Sequence, residues 1–475
     1  MKCLLIMPPW SPYDVYTGEF SKSVSGVWPP IGHLCSLAAT LLQAKNDVEI
    51  IDGAFFNHDA ILKKVTQSNA SFIGFYTNAF LWKSSIKMIN MIKSVLPDVH
   101  IAVGGPLATA WKEKYFLDCE KIDSIFIGEA DYTITHLVDC LRNNTSFESV
   151  KGIVYKNKAG QIIENAPAPI IENLDELPFP ARHLIENHRY KPPLETYRRL
   201  PVTYIFSSRG CTNRCLYCFQ ISTKQGIRFR SAENVLAEIE ECVKKYKIKE
   251  IRFFDDNFAY DLDRVDAICE GLIKAKYDLT WYCSSRVDNI NLEIMKKLRR
   301  SGCWGILFGA ESGVQANLNT LRKNATIEQT AQAVGDARKA GLKAVTPFIF
   351  GIPGETFQDG LETIEFACKI KPFTVNFHTL TPFPGTELYD NIDKYGKRMG
   401  DFIDYTFEKA VFIPHSMGKD EIIKLREIAF KRFFSRPSYI FMRLIKIRTI
   451  MDIRILWSGF RAFVKMYRNK RSFSA

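Results

Sequence analysis

Three cysteines, Cys211, Cys215 and Cys218, stand at C-x3-C-x2-C spacing within Ser207-Ser-Arg-Gly-Cys-Thr-Asn-Arg-Cys-Leu-Tyr-Cys-Phe219. Three thiolates so spaced can hold three irons of a four-iron, four-sulfur cluster on one short loop. The fourth iron then has no ligand from the chain, and an open coordination position is what lets a substrate or cofactor reach a metal. Zinc is the plainer reading of clustered cysteines. It asks for four ligands, usually as two pairs, and the nearest downstream cysteine, Cys242, lies inside the helical-looking segment 232–246. The ligand arithmetic therefore favours a cluster.

Such a loop needs a rigid support. The run Val202 to Phe206, directly ahead of it, reads as a buried strand. From 200 to about 390 further strands are expected at 250–254, 279–283, 304–309, 344–350 and 374–380, with helices between them. Six such units suggest an incomplete (β/α) barrel, whose chemistry sits on loops at the C-terminal strand ends. After the cysteine loop those ends carry Phe253-Phe-Asp-Asp-Asn-Phe258, Cys283-Ser-Ser-Arg286, Gly309-Ala-Glu-Ser-Gly313, Gly351-Ile-Pro-Gly-Glu-Thr356 and Thr379-Leu-Thr-Pro-Phe-Pro-Gly-Thr386. A lone Gly-x-Pro-Gly is usually a turn and a lone Glu-Ser a helix cap. Six polar or glycine-rich clusters on one rim are harder to ascribe to chance.

Ahead of this lies a second alternating pattern. Strands are expected at 2–7, 48–51, 72–76, 100–103 and 125–127, and helices near 31–44, 59–67, 83–95 and 132–143. Five strands with intervening helices make a doubly wound, Rossmann-like α/β sheet, which binds ligands outside the carboxyl ends of its strands. Small and polar residues stand at those ends. Between the two patterns, Val154-Tyr-Lys-Asn-Lys-Ala-Gly160 reads as a hairpin turn, and Pro167, Pro169, Pro178 and Pro180 mark a linker. The expected division is 1–145 for the Rossmann-like domain, 146–200 for the linker, 201–390 for the partial barrel and 391–475 for a helical, basic C-terminal region.

The cysteine spacing, with Tyr217 before the last cysteine, resembles the radical S-adenosylmethionine (radical SAM) superfamily. The resemblance implies that the open iron binds SAM and that one electron cleaves it to methionine and a 5'-deoxyadenosyl radical. It points to Tyr217, Asp255, Asp256, Ser284, Arg286, Glu311, Gly351, Pro353, Gly354 and Glu355 as SAM-binding positions. Arg286 and Glu311 match contacts to the methionyl group and ribose, and 351–355 matches a segment whose backbone lies against adenine. Capping of the next helix is an equal reading of Asp256. The first domain, with Trp28-Pro-Pro-Ile-Gly32, Val103-Gly-Gly-Pro106 and Gly128-Glu-Ala-Asp131, resembles the cobalamin-binding domain of cobalamin-dependent radical SAM enzymes. That likeness implies Pro9, Asp52, Thr77, Asn78, Gly104, Gly105, Gly128 and Glu129 as cobalamin-binding positions, and Leu174-Asp-Glu-Leu-Pro-Phe-Pro-Ala181 resembles the family's connector. The D-x-H-x-x-G signature of other cobalamin proteins is absent. His33 and His58 are the candidate axial ligands, although each is more often a helix or surface histidine.

The chain has 475 residues, enough for two or three domains, with 46% hydrophobic and 24% charged residues. Its twelve cysteines, mostly single in apolar segments, form no disulfide framework and fit a reducing cytoplasm. The apolar N-terminal run is too short for a signal peptide and is ended by prolines. From Lys431 onward twelve Lys and Arg face one acid, Asp452, so +11 of the net +12 belongs to this tail. Lys419 to Phe434 reads as one amphipathic segment, and 439–467 as a basic helix carrying aromatics, a pattern that suits either an anionic membrane surface or packing on the barrel with snorkelling cations. Nucleic acid is a weak option, since no binding module is recognisable.

The resemblance implies a [4Fe-4S] cluster, SAM and cobalamin, a reductant such as flavodoxin or ferredoxin, and a small-molecule or lipid substrate. The leading expectation is methylation of an unactivated carbon. An anaerobic oxidative cyclase or rearrangement enzyme would use the same cofactors. A non-catalytic iron-sulfur or cobalamin carrier is a remote alternative, because a carrier has no use for Glu311 or the 351–355 loop.

Overall fold

The computed structural model describes residues 1–11, 26–219, 226–400, 405 and 409–445, with positions 453, 457 and 461 beyond them. Two parallel sheets organise the chain. In the first, β1 (Lys2–Met7), β2 (Asp47–Asp52), β3 (Phe72–Tyr76), β4 (His100–Gly104) and β5 (Ser124–Phe126) stand in the order β2-β1-β3-β4-β5. β1 pairs with both β2 and β3, so the strand order reverses there, and this switch point is where doubly wound sheets open a crevice. Two antiparallel strands, β6 (Ile153–Lys156) and β7 (Ile162–Glu164), extend the sheet beyond β5. They form the hairpin anticipated at the start of the linker, and it belongs to the first sheet. Ile153, Val154 and Tyr155 are all buried there, because both faces of a sheet continuing β5 are covered.

The helix expected over 31–44 is divided. Ile31–Cys35 is a π-helical turn and Ser36–Gln43 an α-helix. Pro29 and Pro30 end the preceding extended chain, and the wide turn brings Gly32 against the barrel. A side chain at Gly32 would lie 2.1 Å from the Phe206 ring. Its amide donates to the Tyr204 hydroxyl at 3.0 Å, so the first domain leans on the first barrel strand.

The second sheet runs β15 (Thr374–Thr379), β14 (Lys343–Phe350), β13 (Cys303–Phe308), β12 (Thr280–Ser285), β11 (Glu250–Phe253) and β8 (Val202–Ile205), all parallel. The six strands form one open sheet, the expected partial barrel. Side chains alternate faces along a strand. Ile251, Phe253, Trp281, Cys283, Val375 and Phe377 enter the core between sheet and helices, leaving Arg252, Tyr282 and Ser284 on the inner face. The helix Lys419–Phe434 closes this core with Ile422, Leu425, Ala429 and Phe433. It approaches the helix Phe357–Ile370 at Gly360, where a side chain would meet Leu425 at 2.3 Å. A second helix, Pro437–Ile445, follows. Of the helix expected over 439–467, positions 446–452, 454–456, 458–460 and 462–467 lie outside the described residues.

Candidate active site

The cysteine loop leaves β8 through a short antiparallel pair, β9 (Ser208–Arg209) with β10 (Arg228–Phe229). At its neck Gly210 has φ +96°, and a side chain there would lie 2.3 Å from the Gly226 carbonyl, so only glycine lets the two arms approach. The buried Leu216 tacks the loop down. Its amide donates to Leu321 O at 3.0 Å and its carbonyl accepts from Leu388 N at 3.1 Å. Cys215 is buried, Cys211 half-buried and Cys218 exposed. Although Cys218 opens to solvent on one side, desolvation by the protein crowding its other sides, with the neighbouring Cys215, Asp256 and Cys211 charges, pushes its thiol up to about 12. Burial also raises Cys215, against the pull of Lys323 and Arg286. Thiols so placed become thiolates when a metal takes the charge. Among the described residues no three His, Cys, Asp or Glu side chains converge on a single ion. A cluster places each cysteine on a different iron, so its ligands need not meet at one point, and Cys211 and Cys215 both lie within electrostatic reach of Cys218.

Glu311 faces this loop. Its φ of +64° turns the chain sharply after β13, and its backbone is fixed by Glu311 N to Pro347 O at 3.0 Å and Ile349 N to Glu311 O at 2.8 Å. The buried carboxylate accepts from Lys323 Nζ at 2.7 Å and from the Tyr217 hydroxyl. Gly309 leaves room for the pair, since a side chain there would lie 2.5 Å from Glu311 Oε1 and 2.6 Å from Lys323 Nζ. Lys323 was not apparent from the sequence, where it stands in an unremarkable turn after a short helix.

Asp255 turns away from the rim. Its Oδ1 accepts from Ser207 N at 3.0 Å, Ser207 Oγ at 2.9 Å and Ser208 Oγ, so it braces the root of the cysteine loop. Asp256 opens to solvent, yet the protein crowding its other sides and the Asp255 charge push its carboxyl up to about 6. Asn257 was not singled out in the sequence. It is buried, accepts from Ser285 Oγ at 3.2 Å and Arg286 N at 3.1 Å, and donates to Asn289 at 2.8 Å. Arg286 is held through Nε and Nη2 by Asp288 at 2.9 and 2.8 Å and donates to Lys323 O at 2.7 Å. Most of its fork is thus engaged within the protein. Ser284 is half-buried on the inner face of β12.

The 351–355 loop turns at Gly351 (φ +85°) and Gly354 (φ +83°) around the buried Pro353. Glu355 points inward, its Oε2 accepting from Gly351 N at 2.6 Å and Ile352 N at 3.0 Å. Burial pushes its carboxyl up to about 7. The folded protein therefore holds this proton between pH ~4.5 and 7 while the unfolded chain has released it, and stability falls as pH rises through that window. Glu355→Gln removes the titration. The melting temperature of the variant, relative to wild type, is expected to rise from pH 5 to pH 7.5 in a thermal-shift series; a constant difference would contradict the assignment.

In the first domain a cavity of about 300 Å³ lies at the carboxyl ends of β1, β3, β4 and β5. Gly104, Gly105, Gly128 and Glu129 line it, as do Gly32, His33, Gly74 and Tyr76. Phe206, Arg209 and Arg230 wall it from the barrel side. Gly105 has φ +115°, and a side chain there would meet the Thr77 carbonyl at 2.3 Å. Four positions expected to face this ligand do not line the cavity. Thr77 is bonded to Gly104 O and Tyr115, Asn78 accepts from Leu81 N, Asp52 accepts from Tyr190 Oη and Ala54 N, and Pro9 O accepts from Ser84. Each braces a strand end. Glu129 pairs with Arg228, and Asp131 with Arg209 at 2.8 and 3.0 Å, tying the cavity to the neck of the cysteine loop.

His33 stacks on Tyr76 with ring centroids 4.2 Å apart, and its buried Nε2 has no hydrogen-bond partner. Burial lowers its pKa to about 4, so the imidazole is neutral at pH 7, and its Nδ1 stands 3.5 Å from the Tyr204 hydroxyl. The other candidate, His58, shares Nε2 with Ser84 Oγ at 3.2 Å. A glycine-lined crevice with an unpaired imidazole suits a large flat metal-containing ligand.

A three-cysteine loop on a partial barrel, joined to a doubly wound domain with a glycine-lined cavity, is the arrangement expected of a radical SAM enzyme with a second cofactor. Comparison with known proteins agrees. The radical SAM superfamily model matches residues 205–367 and the B12 binding domain model residues 21–138. An uncharacterized methyltransferase of Pyrococcus horikoshii is 30% identical over 442 residues, covering 92% of this chain and 93% of its own. The anaerobic magnesium-protoporphyrin IX monomethyl ester cyclase of Rubrivivax gelatinosus is 25% identical over 426 residues, 88% of this chain and 76% of that protein. Among solved structures, the cobalamin-dependent SAM radical enzyme OxsB superposes with TM-score 0.73 at 18% identity over 100% of this chain and 73% of that one. The radical SAM methyltransferase TsrM of Kitasatospora setae gives 0.68 at 14% identity over 98% and 99%. The chain belongs to the cobalamin-dependent radical SAM enzymes. Its cofactors are accordingly a [4Fe-4S] cluster, SAM and cobalamin.

Proposed function

We propose that the protein is a methyltransferase acting on an unactivated carbon of a small-molecule or lipid substrate, bound where the two domains meet. The observation that carries this reading is the shared wall of the first domain's cavity. Phe206 and Arg209 of the barrel line it, and Arg209 stands two residues ahead of Cys211. The relative matched over 92% of this chain is named a methyltransferase, which supports the same outcome. When bound, the reduced cluster would supply the electron that splits SAM into methionine and a 5'-deoxyadenosyl radical, and cobalamin would supply the methyl group.

In this reading Cys211, Cys215 and Cys218 hold the cluster. Glu311, oriented by Lys323 and Tyr217, accepts hydrogen bonds from SAM, while Asp256, Ser284, the remaining donor of Arg286 and the Gly351–Pro353–Gly354 backbone line its place. Asp255 and Glu355 act by positioning the loops. Fixed polar groups suit a ligand that brings a sulfonium, an ammonium and a carboxylate into a cavity that excludes water. Gly104, Gly105 and Gly128 receive the corrin side, Glu129 fixes the wall, and His33 presents a neutral nitrogen to it. Residues 1–145, completed by the 153–164 hairpin, form the cobalamin domain; the linker reaches 200, the barrel spans 201–390 and the basic region follows. An external reductant such as flavodoxin or ferredoxin supplies the electron.

Methyl transfer consumes one SAM to S-adenosylhomocysteine for each SAM cleaved to 5'-deoxyadenosine, and the product gains a CH2 unit. An oxidative cyclase, the activity named for three relatives, gives 5'-deoxyadenosine without S-adenosylhomocysteine. Reductant-dependent assay of both nucleosides in reconstituted enzyme separates the readings, and 5'-deoxyadenosine alone would contradict methyl transfer.

The C-terminal region suits peripheral contact at the inner face of an anionic membrane. Among the described residues no helix is long and apolar enough to cross one. Yet Ile440, Phe441, Leu444, Ile445, Ile453 and Trp457 are all exposed, within a segment carrying twelve cations. Near anionic lipid each cation contributes about 1 kcal/mol. Deleting 438–475 is expected to release the protein from phosphatidylglycerol vesicles in a sedimentation assay; equal binding by both forms would contradict a membrane role.

A further inference from the structure

On the inner face of the barrel the Arg252 guanidinium makes no ion pair among the described residues. Strand register sets Tyr204, Arg252 and Tyr282 side by side on β8, β11 and β12. The Arg252 guanidinium lies 4.6 Å from the Tyr282 ring centroid, 5.0 Å from Phe254 and 5.5 Å from Trp28. Its Nε is buried without a hydrogen-bond partner. Among the described residues the Arg252 side chain makes neither an ion pair nor a hydrogen bond, and its guanidinium packs on these three rings. The nearby carboxylate, Glu250, is already committed. It accepts from Arg198 N and Arg199 N at 2.8 Å each, from Thr280 Oγ1 at 2.9 Å and from Trp304 Nε1 at 3.0 Å.

A half-buried guanidinium is costly to leave unpaired, and its planar fork matches the two oxygens of a carboxylate or phosphate. Ring faces explain how the cation is tolerated and oriented, but they do not use its in-plane donors. The location is informative as well. Trp28 comes from the first domain, and Phe254 packs on Phe206 at 6.3 Å, the residue that walls the first domain's cavity. The guanidinium therefore sits where the two domains meet.

We propose that Arg252 anchors an oxyanionic group of the substrate, a carboxylate or a phosphate, between aromatic walls formed by Trp28, Phe254 and Tyr282. The inference rests on the domain junction being the substrate site. 5'-Deoxyadenosine formation by the wild-type preparation tests the radical SAM chemistry of that reading separately, since it requires no anion at Arg252.

The test is site-specific protection in the full-length protein, reconstituted with cluster and cobalamin and saturated with SAM so that SAM's own carboxylate is already placed. Arginines are modified with phenylglyoxal, with and without millimolar inorganic phosphate or acetate, and mapped by peptide mass spectrometry. Modification of Arg252 is expected to slow at least fivefold, while the surface Arg322, paired with Glu387, serves as the internal reference. Protection by phosphate alone assigns a phosphorylated substrate, by acetate alone a carboxylate, and by both an oxyanion site of either kind. Calorimetric titration with the protecting anion should show at least tenfold weaker binding in Arg252→Gln and a smaller loss in Arg252→Lys, which keeps the charge without the fork. An Arg252 that phenylglyoxal does not reach, or that neither anion protects, overturns the proposal, and neither result depends on a variant that folds.

Discussion

Cys215→Ala is expected to abolish both the iron-sulfur chromophore and reductant-dependent 5'-deoxyadenosine formation, reducing the latter to the background of protein without iron. The reason lies in the arithmetic of the loop. Three thiolates are available to four irons, and the open position required for SAM leaves none to spare. Cys215 is also the most buried of the three, and Lys323 and Arg286 lie close enough to favour its thiolate. No neighbouring thiol can replace it, since Cys242 is buried in the helix Ala232–Lys244. Alanine keeps the backbone, and Leu216 still holds the loop through Leu321 and Leu388, so the far-ultraviolet dichroism should not change. Iron and sulfide content, together with a nucleoside assay, read the result. Normal SAM cleavage by the variant would sink the assignment.

Arg182→Met is expected to destabilise the protein by about 3–5 kcal/mol. Arg182 lies in the linker, yet its side chain is fully buried. It donates to Thr203 Oγ1 at 3.3 Å, Tyr204 O at 3.0 Å and Glu238 Oε1 at 2.5 Å. Glu238, equally buried, also pairs with Arg230. Methionine would fill much of the volume but leave Glu238 short of a partner in a dry site, and breaking a buried pair from one side costs about 3–5 kcal/mol. The double variant with Glu238→Gln should recover part of that loss. Urea denaturation checks both, and a change under ~1 kcal/mol in the single variant would show that the pair is dispensable.

The behaviour of Arg182 shows where reading the sequence ran out. Strand positions were legible because parallel strands buried on both faces are continuous apolar runs, and all six barrel strands stand within a residue or two of expectation. The loop clusters were legible for a related reason: glycines and acids at successive strand ends share one rim. Side-chain direction was not legible. Asp255 and Asp256 are adjacent in sequence, but in the loop beyond β11 the first is buried under Ser207 and the second is open to solvent. Glu355 looked like a ligand residue and instead pins its own loop. In the first domain Pro9, Asp52, Thr77 and Asn78 stand at the correct strand ends, but their polar atoms are taken by neighbouring backbone and side chains. Lys323 and Asn257 were missed because nothing local marks them, and Arg182 because a proline-rich linker gives no sign that one of its cations is buried 56 residues from its partner.

One chain is expected to hold both cofactors and to use them together. Anaerobic reconstitution with iron, sulfide and hydroxocobalamin, followed by a visible spectrum and a reductant-dependent assay for 5'-deoxyadenosine, tests it most directly. Bound corrinoid and SAM cleavage are expected in the same preparation. Cleavage without bound corrinoid would contradict it, leaving an ordinary radical SAM barrel whose first domain serves a substrate or a partner.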